Sequence, residues 1–398
     1  MNADSVGSGP GRPVPSMLGM QDTPSTVGVL PDLPAAGVTD AARADLGAIE
    51  LTEVDLRAVG LGRVDLTGLD LLGMYRDMTL VRRLDLEATA LQRQGELGLW
   101  APSLGQEAAQ VGSGYAMSAG DFAFPTYREH GVCLSRGVTP LEILSLYRGI
   151  SNGGWNPVQR RVALPIIVIA NQVLHAVGYA MGIALDKASG SPTEDAVIGY
   201  FGDGASSEGD VHEACVFAAS FRAPVVLFCT NNQWAISHPV ARQISAPLVE
   251  RVAGYGMPSV RVDGNDVLAS YAVTKAALES ARSGAGPVFI EAMTYRMGAH
   301  TTSDDPSRYR PQGELESWRA KDPIARLKAY LVASGRAEPA FFVNVDQQAE
   351  ALAEQVRRGV RGMVTPDPAT MFDHVYAEDH PLIEQQRQWV AKNSGSVG

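Results

Sequence analysis

Apolar and polar positions follow two rhythms along this chain. From Asp65 to Gln94, Leu69, Leu72, Tyr75, Met78, Leu80 and Leu84 recur at helical spacings between arginines and acids, which predicts a long amphipathic helix. A second helix is expected from about Gln106, carrying Ala108, Ala109 and Val111. The stretch DFAFPTYREHG at 121–131 reads as a short strand and a loop leading into the helix TPLEILSLYRG. HAVGYAMGIALDKA reads as a helix of small residues suited to close packing, and DAVIGYF at 195–201 as a buried strand. SSEGDVHEACVFAAS at 206–220 places Val211, Ala214, Cys215 and Ala218 on one helical face. PVVLFCT at 224–230 is a second buried strand; SVRVDG and GPVFIEAMTYR are further strands around the helix DVLASYAVTKAALESARSG.

Strands that alternate with helices predict an α/β fold with a mostly parallel sheet covered by helices on both faces. Residues 1–45 are rich in Gly, Pro, Ser, Ala and Asp without periodicity and are expected to form a mobile N-terminal arm. The α/β domain is expected over 46–322, with a helical C-terminal extension over 323–398. There are no internal repeats.

Composition narrows the function classes. Of the 398 residues, 45% are apolar and 19% charged, enough for a packed core. The net charge of −11 argues against a nucleic-acid surface, which needs a basic patch. Cys133, Cys215 and Cys229 form no CxxC pair, so buried free thiols and a cytoplasmic location are expected. No secretory signal is expected, because the chain does not start with basic residues followed by an apolar run. The most apolar window, 162–185, contains Pro165, Asn171, Gln172 and His175, which argues against a membrane span.

The candidate chemistry lies at the ends of two strands. The first delivers Asp203 between Gly202 and Gly204, and the second delivers Asn231 and Asn232. One strand–helix–strand crossover fits this separation and brings both to the carboxyl edge of the sheet, where ligands of open α/β sheets bind. A carboxylate and an amide oxygen are hard ligands that suit Mg²⁺ with phosphate oxygens completing its shell. Two unrelated turns would give the same residues, so the residues alone leave both readings open. Other motifs fail. There is no Walker A sequence, GLGRVD at Gly60 lacks a third glycine, and GASSE has Glu208 where a nucleophile elbow needs glycine. His212–Glu213 is not followed by the second histidine of a zinc helix.

GDG, 26 intervening residues and NN together resemble the thiamin diphosphate fingerprint. FPTYREHG (124–131), GQEAAQVG (105–112), NNQWAIS (231–237), DGNDVLASY (263–271) and YRMGAHTTSDDPSRYR (295–310) extend the likeness. Over roughly 65–390 the chain resembles the α subunit of a 2-oxo acid dehydrogenase E1 component. In detail it is most like the bacterial branched-chain (2-oxoisovalerate) enzymes.

The resemblance implies that Asp203, Asn232 and the Trp234 carbonyl bind Mg²⁺, and that Tyr127 and Arg128 grip the diphosphate. Gly202 would allow close approach, with Gly204 and Ala205 giving backbone N–H groups to the diphosphate. Ile167 and Ile169 would meet the aminopyrimidine through backbone groups, with the Ile169 side chain bracing the cofactor. His300 would reach the diphosphate and serve as the catalytic group of its loop. Thr301 stands at a position phosphorylated in mammalian relatives, but phosphorylation is not predicted here. The sequence departs from the family in a shortened stretch between Trp155 and Ile167, and in Thr230 where an arginine is common.

The resemblance further implies a partner β subunit that supplies the glutamate activating the cofactor, in a heterotetramer of two α and two β subunits. That assembly would dock on a dihydrolipoyl acyltransferase. The implied substrate is a small branched-chain 2-oxo acid, 3-methyl-2-oxobutanoate, with pyruvate as the alternative and a non-catalytic Mg²⁺–phosphate binding module as the remote one. Leu99 and Trp100, in LGLWAPS, are expected to shape part of the substrate pocket.

Overall fold

A computed structural model describes residues 26–30, 53–151, 153–191 and 193–393. Its centre is a six-stranded sheet: β1 (Thr26–Val27), β2 (Phe122–Phe124), β3 (Val197–Gly202), β4 (Val225–Asn231), β5 (Ser259–Asp263) and β6 (Val288–Met293). The spatial order is β1-β5-β6-β4-β3-β2, and every neighbouring pair is parallel. β3 and β4 are buried along nearly their whole length, as expected of strands covered on both faces.

Helices α1 (Leu71–Arg93), α2 (Glu107–Ala116) and α5 (Val267–Arg282) pack on one face of the sheet, and α3 (Asn171–Ala188) and α4 (Gly209–Ser220) on the other. The first helix begins six residues later than its periodicity extends. Asp65 accepts a hydrogen bond from Thr67 N (2.7 Å), Gly68 turns at φ 75°, and Asp70 then caps the helix by accepting from Gly73 N (2.7 Å). A short helix at His130–Ser135, absent from the periodicity, follows the loop at 125–129.

The arm expected over 1–45 lies mostly outside the described residues. Its stretch Thr26–Leu30 is part of the fold, because β1 adds to the sheet edge beside β5. Asp266, capping α5 through one carboxylate oxygen, accepts from Val29 N (2.7 Å) and Leu30 N (2.5 Å) through the other. In the C-terminal part, α6 (Pro323–Ala333) and α7 (Pro339–Arg361) share a buried cluster with α1 and α2, where Phe342 meets the Tyr75 ring edge-on at 5.1 Å. The last helix, α8 (Pro381–Asn393), buries no residue. The three cysteines are buried and free. Among the described residues no helix is long and apolar enough to cross a membrane.

Candidate active site

The β3–β4 pairing sets the site. Gly202 pairs with Thr230, so the residues that follow each strand leave the sheet side by side. Asn232 N donates to Asp203 Oδ1 at 3.3 Å, which joins residues 29 positions apart at one sheet edge. Asn231 turns away and donates its Nδ2 to Glu291 (2.8 Å), so only the second asparagine of the pair faces the cleft. Gly204 has a steric reason to be glycine: a Cβ there would lie 2.6 Å from the Ala235 Cβ.

A cleft of ≈ 220 Å³ opens at this edge. Its lining includes Tyr127, Arg128, Ile169, Gly202, Asp203, Gly204, Ala205, Asn232, Trp234 and His300. Ile167 stands outside that lining and is 64% exposed, while its neighbours Ile166 and Val168 take part in it. Leu99 and Trp100 are not part of the wall either. Trp100 is fully buried and stacks on the His130 ring at 4.2 Å, so the pocket contribution expected from 97–103 is not made by these two side chains.

Asp203 is 1% exposed and its partners are neutral: Asn232 N, and Gln243 Nε2 at 3.2 Å. Burial pushes its pKa up to about 6. Asn232 Oδ1 accepts from Trp234 N (3.3 Å), and its Nδ2 donates to Gln106 Oε1 (3.2 Å), which fixes the amide orientation. The Trp234 carbonyl accepts from Arg296 Nη1 (3.0 Å), leaving one lone pair.

Two arginines and His300 gather beside the same cleft. Arg128 is nearly buried; its Nη1 donates to the Pro102 carbonyl and its Nη2 to the His300 carbonyl (2.9 Å). His300 Nδ1 faces two guanidinium donors, Arg128 Nη2 at 3.2 Å and Arg296 Nη1 at 3.3 Å. Two donors can be satisfied only if Nδ1 accepts, so the ring proton belongs on Nε2. Burial, Arg128 and Arg296 lower the His300 pKa to about 3, which keeps the ring neutral at pH 7. Arg296 is fully buried and also donates to the Ile236 carbonyl (2.7 Å), tying the hairpin after Asn232 to the loop that carries His300. Ile236 lines the cleft mouth at φ 53°, a costly conformation for a β-branched residue.

The residues fit a magnesium diphosphate group. Asp203, Asn232 Oδ1 and the Trp234 carbonyl are a hard-oxygen set. Gln106 Nε2 and Thr230 Oγ1 both line the cleft, are buried and have no hydrogen-bond partner, as expected of groups that face a polar ligand. Arg128 and the first N–H groups of the turn Gly204–Ser207 supply anion-binding donors. Among the described residues there is no cluster of three or more His, Cys, Asp or Glu that could hold a metal.

Gln106, Gln243 and Arg296 belong to the site although sequence reasoning singled out none of them. Gln106 and Arg296 sat inside quoted motifs, but their partners lie 126 and 62 residues away, which no local pattern reports.

Comparison with known proteins identifies the family and several relatives of the chain. The family described as "Dehydrogenase E1 component" matches residues 75–362. The chain is 46% identical over 321 residues to the "3-methyl-2-oxobutanoate dehydrogenase subunit alpha" of Mycobacterium tuberculosis, covering 79% of this chain and 85% of that one. It is 39% identical over 319 residues to a "Pyruvate dehydrogenase E1 component subunit alpha" of Acholeplasma laidlawii, covering 79% and 91%. It is 37% identical over 347 residues to the human "2-oxoisovalerate dehydrogenase subunit alpha, mitochondrial", covering 82% and 75%.

Proposed function

The chain belongs to the dehydrogenase E1 component family, and from that premise we propose that it is the α subunit of a branched-chain 2-oxo acid dehydrogenase. Membership implies use of thiamin diphosphate. With a β subunit it would catalyse oxidative decarboxylation of 3-methyl-2-oxobutanoate and transfer of the acyl unit to a lipoyl group of a dihydrolipoyl acyltransferase. The observation that carries this reading is the meeting of Asp203 and Asn232 at one sheet edge, in a cleft that Arg128 and His300 also line.

When bound, thiamin diphosphate supplies a nucleophilic carbon and an electron sink for loss of CO₂. This chain's residues would hold its diphosphate end. Asp203, Asn232 and the Trp234 carbonyl ligate Mg²⁺, and Tyr127, Arg128, Gly204 and Ala205 bind phosphate oxygens. Gly202 leaves room for close approach and Ile169 braces the cofactor, while backbone contact in this segment falls to Ile166 and Val168 rather than Ile167. His300, neutral with its N–H at Nε2, acts as a hydrogen-bond donor in the reaction site. The glutamate that activates the cofactor would come from the β subunit of a heterotetramer. The buried free thiols suit a cytoplasmic location.

Pyruvate is the second reading, favoured by the Acholeplasma relative. The higher identity to the Mycobacterium tuberculosis 3-methyl-2-oxobutanoate dehydrogenase subunit favours the branched substrate instead. The two are separated by co-expressing the chain with its β subunit and comparing kcat/KM. The branched acid should exceed pyruvate by about tenfold or more, the worth of added methylenes in an apolar pocket. A pyruvate value equal to or above it refutes the substrate assignment.

A further inference from the structure

The segment Trp100–Ser103 contributes no side chain to the cleft lining, yet successive residues of it hold different parts of the site. Trp100 N donates to Thr302 Oγ1 (3.1 Å) and Thr302 N donates to the Trp100 carbonyl (2.9 Å), a two-way clasp on the loop that carries His300. The Ala101 carbonyl lies 3.0 Å from His130 Nε2, and the Pro102 carbonyl takes Arg128 Nη1. The Ser103 carbonyl accepts from Gln106 N (2.9 Å), whose side chain in turn orients Asn232.

One side chain holds this strap. Asp85, buried on α1, accepts from Trp100 Nε1 (3.0 Å), Ser103 N (2.6 Å) and Ser103 Oγ (3.0 Å). The carboxylate is spent on neutral donors at both ends of a four-residue segment. A buried carboxylate is costly unless its hydrogen bonds are made, so the geometry selects one strap position. Core filling alone would be served by an apolar residue at this point of α1.

We propose that Asp85 is a positioning residue for the active site, fixing the strap 100–103 and through it Arg128 and the His300 loop. The inference rests on the reading of Arg128 and His300 as groups that face the cofactor. Asp85 touches neither cofactor nor substrate and acts only through the strap.

The test uses the assembled complex with its β subunit. D85N keeps one acceptor oxygen but turns an NH₂ toward at least one of the three donors. W100F removes the indole donor and keeps the aromatic ring. Hydrogen–deuterium exchange is followed without cofactor, and thiamin diphosphate affinity is measured by calorimetry with Mg²⁺. D85N should speed exchange in 298–304 by about tenfold or more and weaken cofactor binding by a similar factor, the scale of one buried donor left without a partner. Peptides from β3 and β4 should exchange at the wild-type rate. Wild-type exchange in 298–304 overturns the proposal, as does a rise spread equally over the sheet. If D85N does not assemble, W100F carries the same test. R128A serves as the separate control. If it binds cofactor normally, the reading of the site falls, while the exchange arm still decides whether Asp85 sets the strap.

Discussion

At Asp203 a buried carboxylate sits in the sheet edge with amide donors as its hydrogen-bond partners, and the Arg296 guanidinium offsets the cost of burial only in part. Its folded pKa of about 6 lies above the ordinary 3.8, so the folded chain without ligand holds a proton that the unfolded chain has released between those values. Stability from this group is therefore present below pH 4 and lost as pH rises through 6, by up to about 3 kcal/mol. D203N should remove that loss. Thermal unfolding of the cofactor-free protein from pH 4 to 8 is expected to show the variant melting above wild type at pH 8; a lower-melting variant would contradict the buried-charge account. Asp203 and Asn232 stood out because each ends a buried strand, Arg128 was pointed to only by the family resemblance, and all three line the cleft. Gln106 and Arg296 did not stand out, because their roles exist only once distant segments meet.

At the scale of elements, strand and helix types followed from periodicity because β3, β4, α4 and α5 carry strong, uninterrupted patterns. The departures have local or long-range causes. The first helix starts late because Asp65, Gly68 and Asp70 build a turn and a cap inside an apolar pattern. β1 arises in a segment read as a mobile arm because its anchors, Asp266 and Arg326, lie more than 230 residues away. Replacing Asp266 with Asn tests the anchor. One oxygen can still cap α5, while an NH₂ now faces the Val29 and Leu30 amides. Limited proteolysis should cut near residues 26–30 about tenfold faster, with a stability loss of roughly 1–2 kcal/mol. Unchanged cleavage would mean that the strand is held without this carboxylate.

The whole molecule presents an anchored half of a site. Asp203, Asn232, Arg128 and His300 converge on one cleft, and its lining residues Val168, Ile169 and Ile236 are exposed. In the proposed assembly a β subunit covers this apolar rim. That is why the fold and half of the site were legible and the substrate wall was not. Trp100 was expected at that wall on its local sequence. It is drawn inward instead, by His130 stacking and the Asp85 bond. The central claim is that Asp203 and Asn232 hold magnesium diphosphate at this sheet edge. Calorimetric titration of the assembled complex with thiamin diphosphate, with and without Mg²⁺, tests it most directly. Binding should require Mg²⁺ in the wild type and weaken by about a hundredfold or more in D203A, the scale of losing a charged ligand. Mg²⁺-independent binding, or wild-type affinity in D203A, would contradict the account.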